Sequence, residues 1–251
     1  MWPVITSTQN EFIKMARSLR DKKGRAAHGC FLVEGDKCVD ELLVHMPQAL
    51  RALIVTTGCN EAFPERARLL GRTVYTVDAH VMKSVCDCKT PQTVAAVAGL
   101  PEPMGMKGGM IVALDDVQDP ANIGAIIRTA DAADCGGVLL STGSADPYSP
   151  KAVRASMGSL FHLPIIRAEL CGGIDELLKK GYVIAAAHLH GCVDFSLDHD
   201  QTCLVIGNES RGISEKVLSL CSARIRIPIY GKAESLNAAV AAGILIYKIR
   251  S

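Results

Sequence analysis

The second half of the chain alternates short, continuously apolar segments with segments of helical character. Residues 110–114 and 138–140 are two such apolar runs, and runs of this kind are typical of strands buried on both faces of a parallel sheet. Between them, Asp119 is followed by Pro120. This pair is typical of a helix start, because aspartate caps the first turn and proline fits the first helical position. The pattern predicts an α/β domain built on a mostly parallel sheet.

A stretch rich in proline and glycine, without apolar periodicity, occupies residues 101–109. Such a composition predicts a linker. Upstream of it, strand-like and helix-like segments alternate over about 100 residues, which is the size of a small domain. We therefore predict a small α/β/α domain at residues 1–100, the linker at 101–109 and a second domain at 110–251.

The composition excludes several classes of protein. The chain has 251 residues, of which 49% are hydrophobic, so intrinsic disorder is excluded. Lysine and arginine (27) nearly balance aspartate and glutamate (26), which excludes a wholly basic nucleic-acid coat but not a local basic patch. No stretch reaches the roughly 18 apolar residues of a membrane span, and the N-terminus lacks the apolar run of a signal peptide. We expect a cytoplasmic protein that does not bind a membrane.

The cysteines give no sign of a disulfide framework or a metal site. The 10 cysteines are scattered from Cys30 to Cys221, and none belongs to a CxxC pair. Cys86 and Cys88 are the closest pair, but a zinc site needs two further ligands at regular spacing, and the sequence offers none. We expect buried or inert thiols and no bound metal.

In an open α/β sheet, ligands bind in the loops that follow the carboxyl ends of the strands. The first of three unusual loops leads into a helix that carries Asn122 and Gly124 at its start and Arg128 about two turns further on. Isoleucine and alanine surround Arg128 in the sequence. Arg128 is therefore either an exposed residue of an amphipathic helix or a fixed cation that binds phosphate or a polar substrate.

The second and third loops also join apolar strands to helices. In the second, Gly207 and Gly212 enclose four polar residues, and this stretch is either a plain polar turn or a loop that a ligand approaches closely. In the third, the helix is expected to start at Glu234 or Ser235, which puts Asn237 in its first turn, where asparagine is an unfavourable helix residue. Asn237 therefore either caps the helix, binds a ligand or holds the neighbouring loop.

Several common nucleotide-binding and nucleophile motifs are absent from the sequence. There is no GxGxxG after the first strand, no GxxxxGK[ST] and no GxSxG, which argues against a common dinucleotide fold, a P-loop and a nucleophile elbow. His188 and His190 flank Leu189 without an obvious nucleophile nearby. We expect these two residues to be core or surface histidines.

Together, the three loops resemble the three motifs of the SpoU/TrmH family, the RNA ribose 2′-O-methyltransferases of the SPOUT superfamily. The matching stretches are NxGxxxRxA at 122–130, VIGNExxGxS at 205–214 and IPIxGxxESLNAAVA at 227–241, in the family's order. The segment at 31–35 resembles part of the family's substrate-binding domain, which has a ribosomal-protein-like α/β/α fold.

The resemblance implies a trefoil-knotted α/β methyltransferase domain, preceded by the small α/β/α substrate-binding domain. It implies S-adenosyl-L-methionine as the cofactor, bound in the knot, and a homodimer with the knot regions packed together. The residues implied in cofactor binding are Thr142, Gly143, Ile206, Gly207, Ile227, Ser235, Leu236 and Asn237.

The implied reaction is a direct displacement, in which the ribose 2′-oxygen attacks the sulfonium methyl group and leaves S-adenosylhomocysteine. Because a guanidinium is effectively always protonated, we interpret Arg128 as a donor that lowers the pKa of the alcohol and positions the adjacent phosphate. Asn122 would orient Arg128 or the ribose, and Glu209 would anchor Arg128 or hold the site together. Ser235 and Asn237 would complete this catalytic set.

Basic residues are concentrated in a helix-like stretch near the N-terminus, and a local cationic surface of this kind binds RNA phosphates. The alternative is a solvated helix face. The predicted RNA-binding residues are Lys14, Arg17, Arg20, Lys22, Lys23 and Arg25. Aromatic residues make up only 4% of the chain, which favours recognition of RNA shape over base stacking. The separate N-terminal domain favours ribosomal RNA by family analogy; transfer RNA, or an inactive RNA-binding protein, are the alternatives.

Overall fold

A computed structural model describes residues 4–102 and 104–251 of the chain. These residues divide into two compact units. The first unit contains the described residues up to Glu102 together with Asp146–Phe161, and the second contains residues 104–145 and His162–Ser251. Residues 1–3 and Pro103, which belong to the predicted first domain and linker, lie outside the described part of the chain.

The described residues form the following elements in chain order. The helices are α1 (Glu11–Ser18), α2 (Lys22–His28), α3 (Asp36–His45), α4 (Ala62–Leu69), α5 (Ala79–Val85), α6 (Pro120–Ala132), α7 (Pro150–Ser156), α8 (Leu170–Lys179), α9 (Glu215–Leu218) and α10 (Ala238–Arg250). The strands are β1 (Cys30–Glu34), β2 (Leu50–Thr56), β3 (Thr73–Val77), β4 (Val94–Gly99), β5 (Ile111–Asp115), β6 (Gly137–Ser141), β7 (Ile165–Ala168), β8 (Val183–Cys192), β9 (Thr202–Gly207) and β10 (Ala223–Ile225). None of the helices described here combines the length and the apolar character needed to cross a bilayer.

The first unit is built on a four-stranded mixed sheet in the order β1-β4-β2-β3. β4 runs antiparallel to β1 and β2, whereas β2 and β3 are parallel. Every residue of β4 is buried. Helices α1 and α5 bury Ile13 and Met82 against Ile54 of β2, which gives this unit its apolar core.

Helix α7 and its flanking residues belong to the first unit, although sequence reasoning assigns Asp146–Phe161 to the domain at 110–251. α7 contacts β1. The ring of Phe31 in β1 lies 5.0 Å from that of Tyr148 and 6.3 Å from that of Phe161, measured between centroids. Burial of these aromatic rings against one another stabilises the arrangement. No local pattern in the sequence indicates that the segment Asp146–Phe161 packs on the sheet of the first unit.

The second unit contains a six-stranded sheet in the order β10-β8-β9-β5-β6-β7. All neighbouring strands in it are parallel. The predicted α/β domain with a parallel sheet is therefore confirmed. β5 and β9 lie at the centre, where Ile111, Ala113, Cys203 and Val205 are buried in one apolar cluster. Because the strands are parallel, their carboxyl ends meet at one edge of the sheet.

Two helix starts of the second unit can be compared with the sequence. Asp119 caps α6 as predicted, since its Oδ1 accepts the backbone N–H of Ala121 at 2.9 Å. The C-terminal helix α10 begins later than expected, at Ala238. Asn237 is its cap, and its Oδ1 accepts the backbone N–H of Ala239 at 2.9 Å. The amide that is unfavourable inside a helix is thus favourable at this position.

All 10 cysteines are free thiols. Burial raises the pKa of Cys38 and of Cys221 to about 11, and that of Cys135 to about 12. A thiol with a raised pKa stays protonated near neutral pH and is a poor nucleophile. These three cysteines therefore fit the expected inert thiols.

Candidate active site

The loops that follow β5 and β9 lie side by side at the carboxyl edge of the second sheet, because Asp115 pairs with Gly207. Two hydrogen bonds hold these loops together. The backbone N–H of Ser214 donates to Asp115 Oδ2 at 2.7 Å, and Asn208 Nδ2 donates to the carbonyl oxygen of Asp116 at 2.8 Å. The loop after β5 is thereby held against the second motif.

Glu209 joins the loop after β9 to the start of α6. Its Oε1 accepts from Asn122 Nδ2 at 2.9 Å and from the backbone N–H of Asp119 at 3.2 Å, and its Oε2 accepts from the backbone N–H of Gln118 at 3.1 Å. Partial burial raises the pKa of Glu209, but the hydrogen bonds from Asn122 and from the backbone outweigh it and hold the pKa below its ordinary value. Glu209 is therefore a carboxylate acceptor at neutral pH.

Asn122 connects Glu209 with the third motif. The residue is only 7% exposed, and its Oδ1 accepts from Asn237 Nδ2 at 3.0 Å. A continuous chain of hydrogen bonds therefore runs from Glu209 through Asn122 to Asn237, with one member from each motif. We call these three residues the amide–carboxylate chain.

Arg128 stands apart from this chain. It is exposed on α6 and makes no hydrogen bond or ion pair with any other residue that the structure describes. Of the two roles considered for Glu209, the geometry supports holding the site together and not anchoring Arg128. The guanidinium is free to present its planar donor fork to a phosphate or a ribose hydroxyl.

An open, mostly apolar cleft of about 130 Å³ lies next to the third motif. Three of the predicted cofactor residues, Ile227, Ser235 and Leu236, line it. The other lining residues are Ala187, His188, Leu189, Ile225, Arg226, Ile229, Ala241 and Leu245. A concave apolar surface with a few polar groups is the usual form of a small-molecule site.

The loop at residues 227–236 is largely exposed, and its backbone groups do not pair with the rest of the described chain. Within the described chain, no backbone N–H or carbonyl oxygen of this loop makes a hydrogen bond, whereas the backbone N–H of Arg226, just before it, donates to Cys192 at 2.9 Å. Backbone donors and acceptors beside an apolar wall suit a purine ring, whose edge carries both donors and acceptors.

The other predicted cofactor residues do not line this cleft. Ile206 is 3% exposed and belongs to the core of β9. Gly207 lies where β9 ends, and a Cβ there would clash with the backbone of Gly212 and Ile213, so this turn requires glycine. The backbone that approaches Gly207 closely therefore belongs to Gly212 and Ile213 of the same chain.

Gly143 lines a second cavity of about 310 Å³, whose walls include the polar residues Asp115, Asp116, Asn208 and Arg211. Thr142 precedes it and is exposed, and its carbonyl oxygen accepts from Arg167 Nη2 at 2.7 Å. The structure therefore brings Thr142 and Gly143 to the loop after β6 but does not bring them to the cleft of Ile227 and Leu236.

The predicted RNA-binding residues in the first unit fall into two groups. Lys14, Arg20, Lys22 and Lys23 are exposed on α1 and α2 or between them, and Arg17 is half-buried. Among them, Arg20 forms an exposed ion pair with Asp87 at 3.4 Å. We call these five residues the basic arm.

Arg25 is a correction to the sequence prediction. It is 4% exposed, and its Nε donates to Asp146 Oδ2 at 2.8 Å. Its Nη1 donates to the carbonyl oxygens of Leu19 and Arg20 at 2.9 and 2.8 Å. Because these donors are used inside the first unit, Arg25 is unavailable to RNA phosphates. The count of basic residues in a stretch does not reveal which one turns inward.

Comparison with known protein families identifies both parts of the chain. The model of the SpoU rRNA methylase family matches residues 109–247. The chain belongs to the SpoU rRNA methylase family. The model of the MRM3-like substrate binding domain matches residues 10–96, upstream of the SpoU match.

Relatives of this SpoU methylase extend over nearly its whole length. It is 34% identical to the 23S rRNA (guanosine(2553)-2'-O)-methyltransferase RlmP of Bacillus subtilis, over 98% of each chain. The crystal structure of an AdoMet-bound rRNA methyltransferase from Sinorhizobium meliloti superposes with a TM-score of 0.86 and 33% identity, covering 99% of this chain and 97% of that one. The SpoU methyltransferase AviRb from Streptomyces viridochromogenes in complex with AdoMet gives 0.85 and 30%, covering 96% and 97%.

Two parts of this SpoU site escaped sequence reasoning. The cleft residues Ala187, His188 and Leu189 belong to β8, and the rule that ligands bind at the carboxyl ends of strands could have found them. Gln118 donates its backbone N–H to Glu209 and its Nε2 to the carbonyl oxygen of Gly143 at 2.9 Å. No sequence signal indicates this bracing role, since glutamine is common in polar turns.

Proposed function

We propose that the protein is an S-adenosyl-L-methionine-dependent RNA methyltransferase that modifies a ribose 2′-hydroxyl of ribosomal RNA. The observation that carries this proposal is the amide–carboxylate chain, which joins the three family motifs and leaves Arg128 free beside them. The 34% identity to a 23S rRNA 2′-O-methyltransferase over 98% of the chain supports ribosomal RNA as the substrate class.

The cleft at the third motif fits the cofactor. Ile227 and Leu236 offer an apolar wall to the adenine ring, and the free backbone groups of residues 227–236 offer hydrogen bonds to its edge. The hydroxyl of Ser235 is available to a polar part of the cofactor. When bound, S-adenosyl-L-methionine supplies an electrophilic methyl group, so the reaction needs no metal ion to activate the carbon. The protein's own part is to align the hydroxyl and to ease loss of its proton.

Arg128 would act on the RNA. Its guanidinium would donate to the target 2′-oxygen and to the adjacent phosphate, lowering the pKa of the hydroxyl and fixing its direction. Because the guanidinium stays protonated, the proton would pass to the phosphate oxygen and not to Arg128. Asn122 and Glu209 would be positioning residues, since their hydrogen bonds hold α6 and its neighbouring loops together.

The basic arm would bind the RNA backbone through counterion release. Replacing Arg17, Arg20, Lys22 and Lys23 together by glutamine should weaken RNA binding about tenfold or more and make its salt dependence shallower, as filter binding over a salt series would measure. Arg25→Gln serves as a control, because it should lower thermal stability without changing the salt slope. An unchanged slope in the fourfold variant would remove the arm from RNA binding.

We also propose a homodimer formed through α10, with the C-terminal segment threaded as a trefoil knot. Val240, Ile244 and Tyr247 are 51%, 43% and 51% exposed. Their spacing puts them on one face of α10, and an exposed apolar stripe of this kind is typical of an interface. Light scattering should give twice the chain mass for the native protein and a lower mass for Ile244→Asp.

The free cysteines and the proposed ribosomal RNA substrate support a cytoplasmic location.

Methyl transfer from tritiated S-adenosyl-L-methionine tests the activity. Purified ribosomal RNA and transfer RNA from a strain lacking this protein serve as substrates, and digestion to nucleosides identifies the labelled atom. We expect label in a 2′-O-methyl nucleoside of ribosomal RNA alone. Label confined to transfer RNA would show that transfer RNA, not ribosomal RNA, is the substrate. RNA binding without methyl transfer would show that the protein is an inactive RNA-binding protein.

A further inference from the structure

His188 lines the cofactor cleft together with Ile227, Ser235 and Leu236. It belongs to β8 and lies outside all three motifs, and the reaction described above gives it no role. The ring is half-buried, in contrast to the exposed His190 two residues later.

The hydrogen bonding of His188 defines its tautomer. Its Nδ1 accepts the backbone N–H of His190 at 3.1 Å. A ring nitrogen that accepts a hydrogen bond carries no proton, so the neutral imidazole carries its proton on Nε2. Nε2–H has no hydrogen-bond acceptor among the residues that the structure describes. A protonated ring would direct Nδ1–H at the His190 N–H and lose this bond.

The charges around His188 also favour the neutral ring. Burial lowers the pKa of His188, and the electrostatic effects of Arg224 and then His190 lower it further. Arg224 belongs to β10, which pairs with β8, and Arg226 follows it in the wall of the cleft. Helix α10 contributes only the apolar side chains of Ala241 and Leu245 to the cleft. No carboxylate lines this cleft in the described chain to offset these cations.

We propose that His188 is a cofactor-binding residue whose neutral ring donates a hydrogen bond from Nε2 to an acceptor atom of S-adenosyl-L-methionine. The cofactor carries a positive sulfonium, so a protonated His188 would repel it, whereas the product S-adenosylhomocysteine is a neutral thioether. His188 thereby makes cofactor binding depend on pH and makes the substrate form more sensitive than the product form. This inference rests on the proposed cofactor cleft.

Calorimetric titration of the full-length protein tests the proposal. His188→Leu should bind S-adenosyl-L-methionine about three- to tenfold more weakly at about pH 8, the effect of one lost hydrogen bond. His188→Gln retains a donor and should recover part of the affinity. His190→Gln, exposed and outside the cleft, is the matched control and should bind nearly as the native protein does. Equal affinity of His188→Leu and native protein would overturn the proposal.

The pH dependence provides the second readout. Between about pH 8 and about pH 5, the affinity of the native protein for S-adenosyl-L-methionine should fall more than its affinity for S-adenosylhomocysteine. The α-amino groups of the two ligands titrate in the same way with the native protein and with His188→Gln, so this variant controls for them. The ratio should stay nearly constant in His188→Gln, and a ratio that changes equally in that variant would assign the effect to another group.

A ¹⁵N NMR spectrum of the imidazole nitrogens separates the geometry from the binding. We expect the Nε2–H tautomer of His188 in the free protein, and a shift of the Nε2 resonance when cofactor is added. An Nδ1–H tautomer would overturn the proposal even if the cofactor binds. Native protein that binds no cofactor at all would instead overturn the proposed function, so the two failures are distinguishable.

Discussion

The loops around Glu209 and the loop at residues 227–236 both serve the proposed reaction, yet their polar groups are satisfied in opposite ways. Around Glu209, both carboxylate oxygens accept hydrogen bonds and the buried amide of Asn122 uses both its nitrogen and its oxygen. In the loop at residues 227–236, no backbone group pairs with another described residue. The polar side chains of the first region pair with one another and with the protein backbone, whereas the backbone groups of the second region pair with no described residue.

This difference has a physical consequence. Removing Asn122, the one buried member of the amide–carboxylate chain, takes a hydrogen bond from each of its two exposed partners, Glu209 and Asn237, and this costs stability. Changing a side chain in an exposed loop leaves no such deficit and alters only what the loop binds. Variants in the amide–carboxylate chain should therefore be seen in unfolding experiments, and variants in the cleft should be seen in titrations with the cofactor.

Arg128 belongs to neither region, and its replacement should have the largest effect on the reaction. Under the proposed mechanism, Arg128→Ala should lower the rate of methyl transfer about 100-fold or more, because it removes the proposed donor to the reacting oxygen. Cofactor affinity and thermal stability should be nearly unchanged, since Arg128 makes no ion pair or hydrogen bond with other described residues.

Initial rates with tritiated cofactor and calorimetry on the same preparation measure these two quantities. Arg128→Lys is the matched control, since it retains the charge but not the planar fork, and it should recover only part of the rate. Full activity of Arg128→Ala would remove this residue from the reaction.

The next largest effect is expected within the amide–carboxylate chain. Asn122→Ala should lower the free energy of unfolding by about 1–3 kcal/mol, because this buried side chain loses its two hydrogen bonds, each contributing about 0.5–1.5 kcal/mol. Urea unfolding of the native protein and the variant measures the change.

A double-mutant cycle with Asn237→Ala sharpens this test. Asn237 also caps α10, so its own replacement costs stability for a second reason. If the two side chains act through their 3.0 Å hydrogen bond, the double variant should lose less than the sum of the single losses. Strict additivity would show that the chain is not an energetic unit.

The same contrast explains what could be predicted from sequence. The parallel sheet and the cap at Asp119 follow from local apolar runs and local side-chain chemistry, and both are confirmed. The hydrogen bond between Asn122 and Asn237 spans 115 positions in the chain, and no local pattern specifies it. The resemblance to SpoU motifs named both residues but not their contact. Arg25 was misassigned because its burial depends on Asp146, which is 121 positions away in the chain.

A variant in the cleft should affect binding alone. Leu236→Ala should weaken S-adenosyl-L-methionine binding by a few-fold, because part of the apolar wall is lost. Its stability should change by less than about 0.5 kcal/mol, since Leu236 is 38% exposed. Calorimetry and urea unfolding on one preparation measure both quantities. A stability loss as large as that of Asn122→Ala would contradict the distinction between the two regions.

The smallest effect concerns the charge on Glu209. Because hydrogen bonds hold its folded pKa below the ordinary value of about 4.3, the carboxylate contributes stability above the unfolded pKa. That contribution is lost as the pH falls through the folded pKa. The native protein should therefore be more stable than Glu209→Gln near pH 7, and the difference should shrink below about pH 4. Thermal unfolding of both proteins between about pH 7 and about pH 3 measures the difference. Glutamine has nearly the same shape as glutamate, so the variant changes the charge and not the size of the side chain.

A stability difference that is constant with pH would mean that Glu209 acts through packing alone. The loops around Glu209 would then be held together by their amide side chains and backbone groups rather than by the carboxylate.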